Sequence, residues 1–131
     1  QWDFGPPGNF RGFVLMDWNG DGYLDIFARD LSRQARYFES NCGENKAIHI
    51  SLSQNGPNSK AIGAWVWIDT GETRQFRDVF AGSTNISSSG PPITYFGVGQ
   101  AEQVDVRVRW PDGEVSVLRD IDTQQWIEVR R

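Results

Sequence analysis

From Ala47 onward apolar and polar positions alternate with a period of two. Ile48, Ile50 and Leu52 fall on one side of a segment whose other side carries His49 and Ser51, as in an extended strand. Between Ile62 and Asp69, Ala64, Val66 and Ile68 share one face while Trp65 and Trp67 take the other. Thr73 to Ala81 reads as a further strand after the turn signal Asp69-Thr70-Gly71-Glu72. The clearest alternation sets Val104, Val106, Val108 and Trp110 against Asp105, Arg107 and Arg109. Pro111-Asp112-Gly113 then predicts a turn, Val115 and Val117 open the next strand, and Trp126 to Arg130 makes the last. Upstream, Gly12 to Met16 and Leu24 to Ala28 read as two arms of a hairpin around a polar loop, and helical periodicity surfaces only at Leu31 to Glu39. Short strands punctuated by Gly and Pro predict an all-β fold, an antiparallel β-sandwich over 46–131, preceded by an arm and hairpin over 1–45.

Composition narrows the classes of function. The chain has 131 residues, 13% of them aromatic, with six Trp and eight Phe, enough for a packed core in one domain or one domain with an appendage. No apolar run approaches the ~18 to 20 residues of a membrane span. A net charge of −4 argues against a nucleic-acid partner, since phosphate binding favours a basic face. The single cysteine, Cys42, permits neither an internal disulfide nor a cysteine-based zinc site. A start at Gln1 without a basic-then-apolar leader is what a processed protein or a fragment would show.

One segment carries chemistry. Asp17-Trp18-Asn19-Gly20-Asp21-Gly22-Tyr23-Leu24-Asp25 places oxygen-bearing side chains at positions one, three, five and nine of a loop. Alternate residues of a tight loop aim Asp17, Asn19 and Asp21 at a common centre. Tyr23 offers its carbonyl and Asp25 returns a carboxylate from the far side. A hard cation with about six to eight oxygen ligands, Ca2+ rather than Mg2+, suits that set. An EF-hand is ruled out: its twelfth position would be Ala28 rather than a glutamate, and the flanks read as strands.

Phe13 to Phe27 resembles the calcium-binding hairpin of FG-GAP/VCBS repeats, the blades of integrin-like β-propellers. That resemblance implies Asp17, Asn19, Asp21 and Asp25 as side-chain ligands and Tyr23 as a carbonyl ligand. The rest resembles the ASPIC/UnbV domain through four stretches in order: Asn58 to Ala64, Arg77 to Ser83, Tyr95 to Gly99 and Val108 to Gly113. It implies an extracellular, cell-surface or periplasmic β-domain without known catalytic residues. A propeller needs four or more blades, whereas this chain has one such hairpin. Where the family usually carries a basic residue after Gly63-Ala64, it has Trp65.

Three classes of function follow. Catalysis is poorly supported, because His49 is the only histidine and no Gly-x-Ser-x-Gly elbow occurs; no catalytic residue is assigned. Carbohydrate binding rests on Trp65 and Trp67, about 7 Å apart along one face by the strand rise, which can stack on sugar rings or pack against a second layer. Assembly with a protein partner or another copy rests on the two strand edges of a lone hairpin and on the extended arm Phe4 to Phe10. Asn85-Ile86-Ser87 is an acceptor sequon. The leading expectation is a non-catalytic, calcium-binding β-protein with an adhesive, structural or assembly role, and a carbohydrate-binding module is the alternative.

Overall fold

The computed structural model describes residues 5–41, 43–82 and 89–131; Phe4, Cys42 and the sequon at Asn85 lie outside them. The described residues fold entirely as strands and connections, without a helix. The chain divides into two compact units: the described parts of Gln1–Gly43 and Gly82–Pro91, and Glu44–Ala81 with Pro92–Arg131.

In the first unit β1 (Phe10–Met16), β2 (Asp25–Asp30) and β3 (Arg36–Phe38) form an antiparallel sheet in that order. The two arms read from the sequence pair from Met16↔Asp25 to Phe10↔Asp30, with a bulge between Phe10 and Gly12. The stretch with helical periodicity holds β3 instead. Tyr37 pairs with Phe27 across the ladder, and their rings pack 4.8 Å apart; an aromatic pair of this kind favours the pleated arrangement. β3 therefore covers one of the two edges that a lone hairpin would expose. At the start of the unit, Gly8 is required by space: a Cβ there would lie 2.5 Å from the buried Asp30 carboxylate.

The second unit contains two sheets. One has the order β10-β4-β7, from β4 (Lys46–Ser53), β7 (Ile93–Gly99) and β10 (Gln125–Arg130). The other has the order β6-β5-β8-β9, from β5 (Trp65–Asp69), β6 (Arg74–Asp78), β8 (Gln103–Arg109) and β9 (Val115–Asp122). Their inner faces share one core. Ile48, Ile50 and Phe96 come from the first sheet, and Val66, Ile68 and Val104 to Val108 on alternate positions from the second. This is the sandwich that the period-two pattern predicts. One pairing departs from the antiparallel rule: β10 runs parallel to β4, from Gln125↔Ile48 to Arg130↔Ser53. Parallel neighbours need a long crossover, here the whole excursion through β5 to β9.

The outer face of β4 is covered as well. His49 lies across the ladders from Trp126 and Tyr95 and packs against both rings, tilted over Trp126 at 4.5 Å and edge to face with Tyr95 at 5.0 Å. This row of three rings explains why β4 is buried on both faces, and it gives the only histidine a packing role. Gly97 and Gly99 flank a bulge opposite Lys46 and Ala47, as glycines inside a strand predict. Gly63 sits with φ +92° in the turn before β5.

At the far end Trp110-Pro111-Asp112-Gly113 forms the predicted turn, closed by Gly113 N–H to the Trp110 carbonyl at 2.9 Å. Trp110 is buried in the core and its Nε1 donates to Ser116 Oγ at 2.8 Å. Arg131 lies over the Trp110 ring, 5.8 Å from its centroid, and grips the Asp112 carboxylate with two donors. That bidentate contact holds the Asp112 carboxyl down to about 2.

Candidate functional site

The acidic loop between β1 and β2 folds on its own side chains. Asp17 accepts the Gly20 and Gly22 N–H groups at 2.8 and 3.0 Å. Asn19 Oδ1 accepts the Asp21 N–H, and Asp21 Oδ1 accepts the Tyr23 N–H. Such Asx turns draw short polar side chains inward while Gly20 and Gly22 supply the positive φ angles, +77° and +88°. Asn19 Nδ2 also bridges Asp21 Oδ2 and Glu39 Oε1, at 2.9 and 3.1 Å, so Glu39 joins the loop from 20 residues away. Nothing in the local spacing announces that residue. The Tyr23 hydroxyl donates to the Gly43 carbonyl at 2.7 Å.

Asp25 is set differently. Its side chain is fully buried (0% exposed). Its two oxygens accept the Ser40 N–H at 2.8 Å, the Tyr37 O–H at 2.9 Å and the Trp18 N–H at 3.3 Å. Partial desolvation and the hydrogen bond to Asp25 push the Tyr37 hydroxyl up to about 12. The carboxylate thus ties the loop, β2, β3 and the chain beyond β3 together.

The fit to a metal divides accordingly. The donors are all oxygen and so suit a hard cation, and the loop amides hold Asp17 and Asp21 in place. Yet the oxygens are engaged within the loop, and among the described residues no three acidic, histidine or cysteine side chains gather into a metal-binding group.

The second candidate lies on the outer face of the β6-β5-β8-β9 sheet. Trp65 and Trp67 point away from the core, as their alternation predicts, and Phe76 lies beside Trp67 across the ladder. The three rings contact one another at 5.4 to 5.8 Å. The indoles meet edge to face at 75°. Trp65 is 42% exposed and Trp67 half-buried, so they make an aromatic corner rather than a flat platform. β8 places Arg109 beside Trp65 and Arg107 beside Trp67, with guanidinium groups 4.9 and 5.6 Å from the ring centroids. β9 adds Val115 and Val117, both exposed. The groove over this face has a volume of about 880 Å3, within the usual range of ligand sites. Its margin is closed by ion pairs Arg74–Asp69 at 2.7 Å and Arg119–Asp105 at 2.5 Å. Arg74 beside Asp69 holds that carboxyl below the usual range.

The arginines and valines of this face were missed as site residues. The alternation in 103–109 already turned Arg107 and Arg109 away from the valine face, but only the sheet order reveals that β5 is their neighbour.

A two-sheet β-domain with an aromatic and cationic outer face is therefore the class that fold and surface define. The ASPIC and UnbV family profile matches residues 54–131, which include β5 to β10. The chain belongs to that family. Cartilage acidic protein 1 from Homo sapiens is 27% identical over 113 residues, covering 84% of this chain and 17% of that protein. Its Mus musculus counterpart is 26% identical over 123 residues, covering 92% and 19%. The Xenopus tropicalis protein is 25% identical over 114 residues, covering 84% and 18%. The chain thus spans less than a fifth of the length of the curated relatives it matches.

Proposed function

We propose that this chain is a non-catalytic, extracellular recognition domain that takes carbohydrate on the Trp65–Trp67 face, with an adhesive or structural role. The observation that carries it is the groove of about 880 Å3 lined by Trp65 and Trp67 on the outer face of the sandwich, with Phe76 packed against both indoles. Exposed rings of this kind bind apolar C–H faces while neighbouring polar groups select orientation. The non-catalytic reading is supported by His49, which is buried and packed between Tyr95 and Trp126. The extracellular reading draws on the relatives' name, which refers to cartilage, and on membership of the family.

Titration with a panel of polysaccharides tests the carbohydrate reading. Tryptophan fluorescence should change saturably, and Trp65→Ala should weaken binding at least about tenfold, the loss of one well-packed aromatic contact. If no polysaccharide in the panel perturbs the emission, the reading fails.

For the first unit we propose calcium binding by Asp17, Asn19 and Asp21 with the Tyr23 carbonyl, supported by the hairpin's resemblance to FG-GAP/VCBS repeats and by the Asx turns that orient the side chains. Asp25 would join them as a ligand only by sharing oxygens that already accept three donors. An ion that binds only the folded form stabilises it by mass action, about 2.7 kcal/mol at a hundredfold excess over Kd. Wild-type Tm should therefore rise with added calcium and fall with chelator, whereas Asp21→Ala should melt alike in both. Identical wild-type curves in calcium and chelator would remove calcium from the account. Contact with a protein partner or second copy through the β1 edge remains a further reading of this unit, supported by the edge position of that strand.

A further inference from the structure

We infer that the glycan held on the Trp65–Trp67 face is an anionic polysaccharide, gripped through its carboxylate or sulfate groups by Arg107 and Arg109. This rests on the carbohydrate reading above and names the chemistry of its ligand.

The charge of the face runs against that of the chain. The whole sequence carries −4, yet the groove is lined by four arginines and two aspartates. Two of those arginines, Arg74 and Arg119, are neutralised by Asp69 and Asp105 at the margin. Among the described residues Arg107 and Arg109 form no ion pair within 4 Å, and their guanidinium groups lie over the Trp67 and Trp65 indoles. The positive charge is thus concentrated in the middle of the groove.

The register shows how it is presented. Trp65, Arg109 and Val115 lie side by side across three strands, and Trp67, Arg107 and Val117 form the next row. Each row puts a guanidinium between an indole and an aliphatic side chain. Successive rows are two residues apart on β8, roughly 7 Å. A guanidinium stacked on an aromatic face keeps its in-plane N–H fork available for a carboxylate or sulfate, and loses little hydration in doing so. Two such rows repeat apolar, cationic and apolar groups in one direction. A linear polymer whose rings each carry an apolar face and an anion matches that repeat better than a single small anion does.

An acidic peptide fits less well. Extended peptides gain affinity by adding backbone hydrogen bonds to a sheet edge, whereas β5 and β8 are the two inner strands of this sheet, their backbone groups already in ladders. Recognition here falls to side chains alone.

The test uses the whole chain with heparin as the sulfated probe, polygalacturonate as the carboxylated one, dextran as the neutral one and poly-glutamate as the acidic peptide. Binding is read by tryptophan fluorescence and by retention on the immobilised polymer. Heparin or polygalacturonate should bind at least about tenfold tighter than dextran, and added salt should weaken binding by screening. The relative strength of those two arms tells sulfate from carboxylate. Arg107→Gln combined with Arg109→Gln should lose about tenfold or more, as expected for charge-assisted hydrogen bonds. Lys60→Gln with Arg130→Gln removes the same formal charge elsewhere and should bind as wild type. The milder pair Arg107→Lys and Arg109→Lys, which keeps the charge but not the planar fork, should fall between. If the glutamine pair does not fold by circular dichroism, this lysine pair decides, and wild-type affinity in it overturns the inference. Dextran binding equal to that of the charged polymers, insensitive to salt and to the glutamine pair, would overturn the anionic assignment while leaving the carbohydrate reading intact. Binding of poly-glutamate without any polysaccharide would overturn both.

Discussion

Trp110→Ala is expected to lower the stability of the second unit by about 3–5 kcal/mol, the usual loss for a large aromatic side chain removed from a core. Trp110 is 1% exposed, follows β8 directly, and opens the turn on which Arg131, the residue after β10, rests. Three sets of interactions go with it: the packing of its ring in the shared core, the Nε1–Ser116 hydrogen bond and the face on which Arg131 rests. Urea denaturation should show a clear fall in the midpoint with the slope preserved. Trp110→Phe keeps most of the ring volume but leaves Ser116 without that donor, and should lose about 1–2 kcal/mol. A midpoint like that of wild type in the alanine variant would mean that the turn is not anchored by this ring.

Asp25→Ala is expected to cost the first unit about 2–4 kcal/mol, because a buried carboxylate with three donors is replaced by a group that accepts nothing. The Ser40 and Trp18 amides and the Tyr37 hydroxyl would all lose their acceptor. Amide exchange across Phe10–Met16 and Asp25–Asp30 should quicken roughly thirtyfold or more, at about 1.4 kcal/mol per factor of ten. The loss should appear in chelator as fully as in calcium, which separates it from Asp21→Ala, whose effect should require the ion. Unchanged exchange in chelator would show that Asp25 matters to this unit only as a metal ligand.

How much could be read from the sequence depended on whether the determinant was local. Side-chain alternation is local, so β4, β5, β8 and β10 were legible, as were the outward direction of Trp65 and Trp67 and the turn at Trp110 to Gly113. β3 was not. Arg36–Phe38 is too short to show a period, and its pairing depends on Phe27 ten residues earlier. The parallel lie of β10 on β4 was likewise hidden, since alternation fixes which face a residue occupies and not the direction of its neighbour. The same limit held for the candidate sites. The acidic loop was visible because its residues are adjacent in sequence. Glu39 reached it through the fold. The groove needed the sheet order that sets β8 between β5 and β9.

The pairing of β4 with β10 also has a kinetic side. Ser51 Oγ bonds the Ile127 carbonyl across 76 residues of chain, so the central strand of that sheet waits for the final segment before its ladder is complete. Long-range pairing of this kind slows folding. On the ribosome, β4 would have one edge unclaimed until β10 is made, an interval in which a chaperone or a second nascent copy could occupy the place later taken by β10.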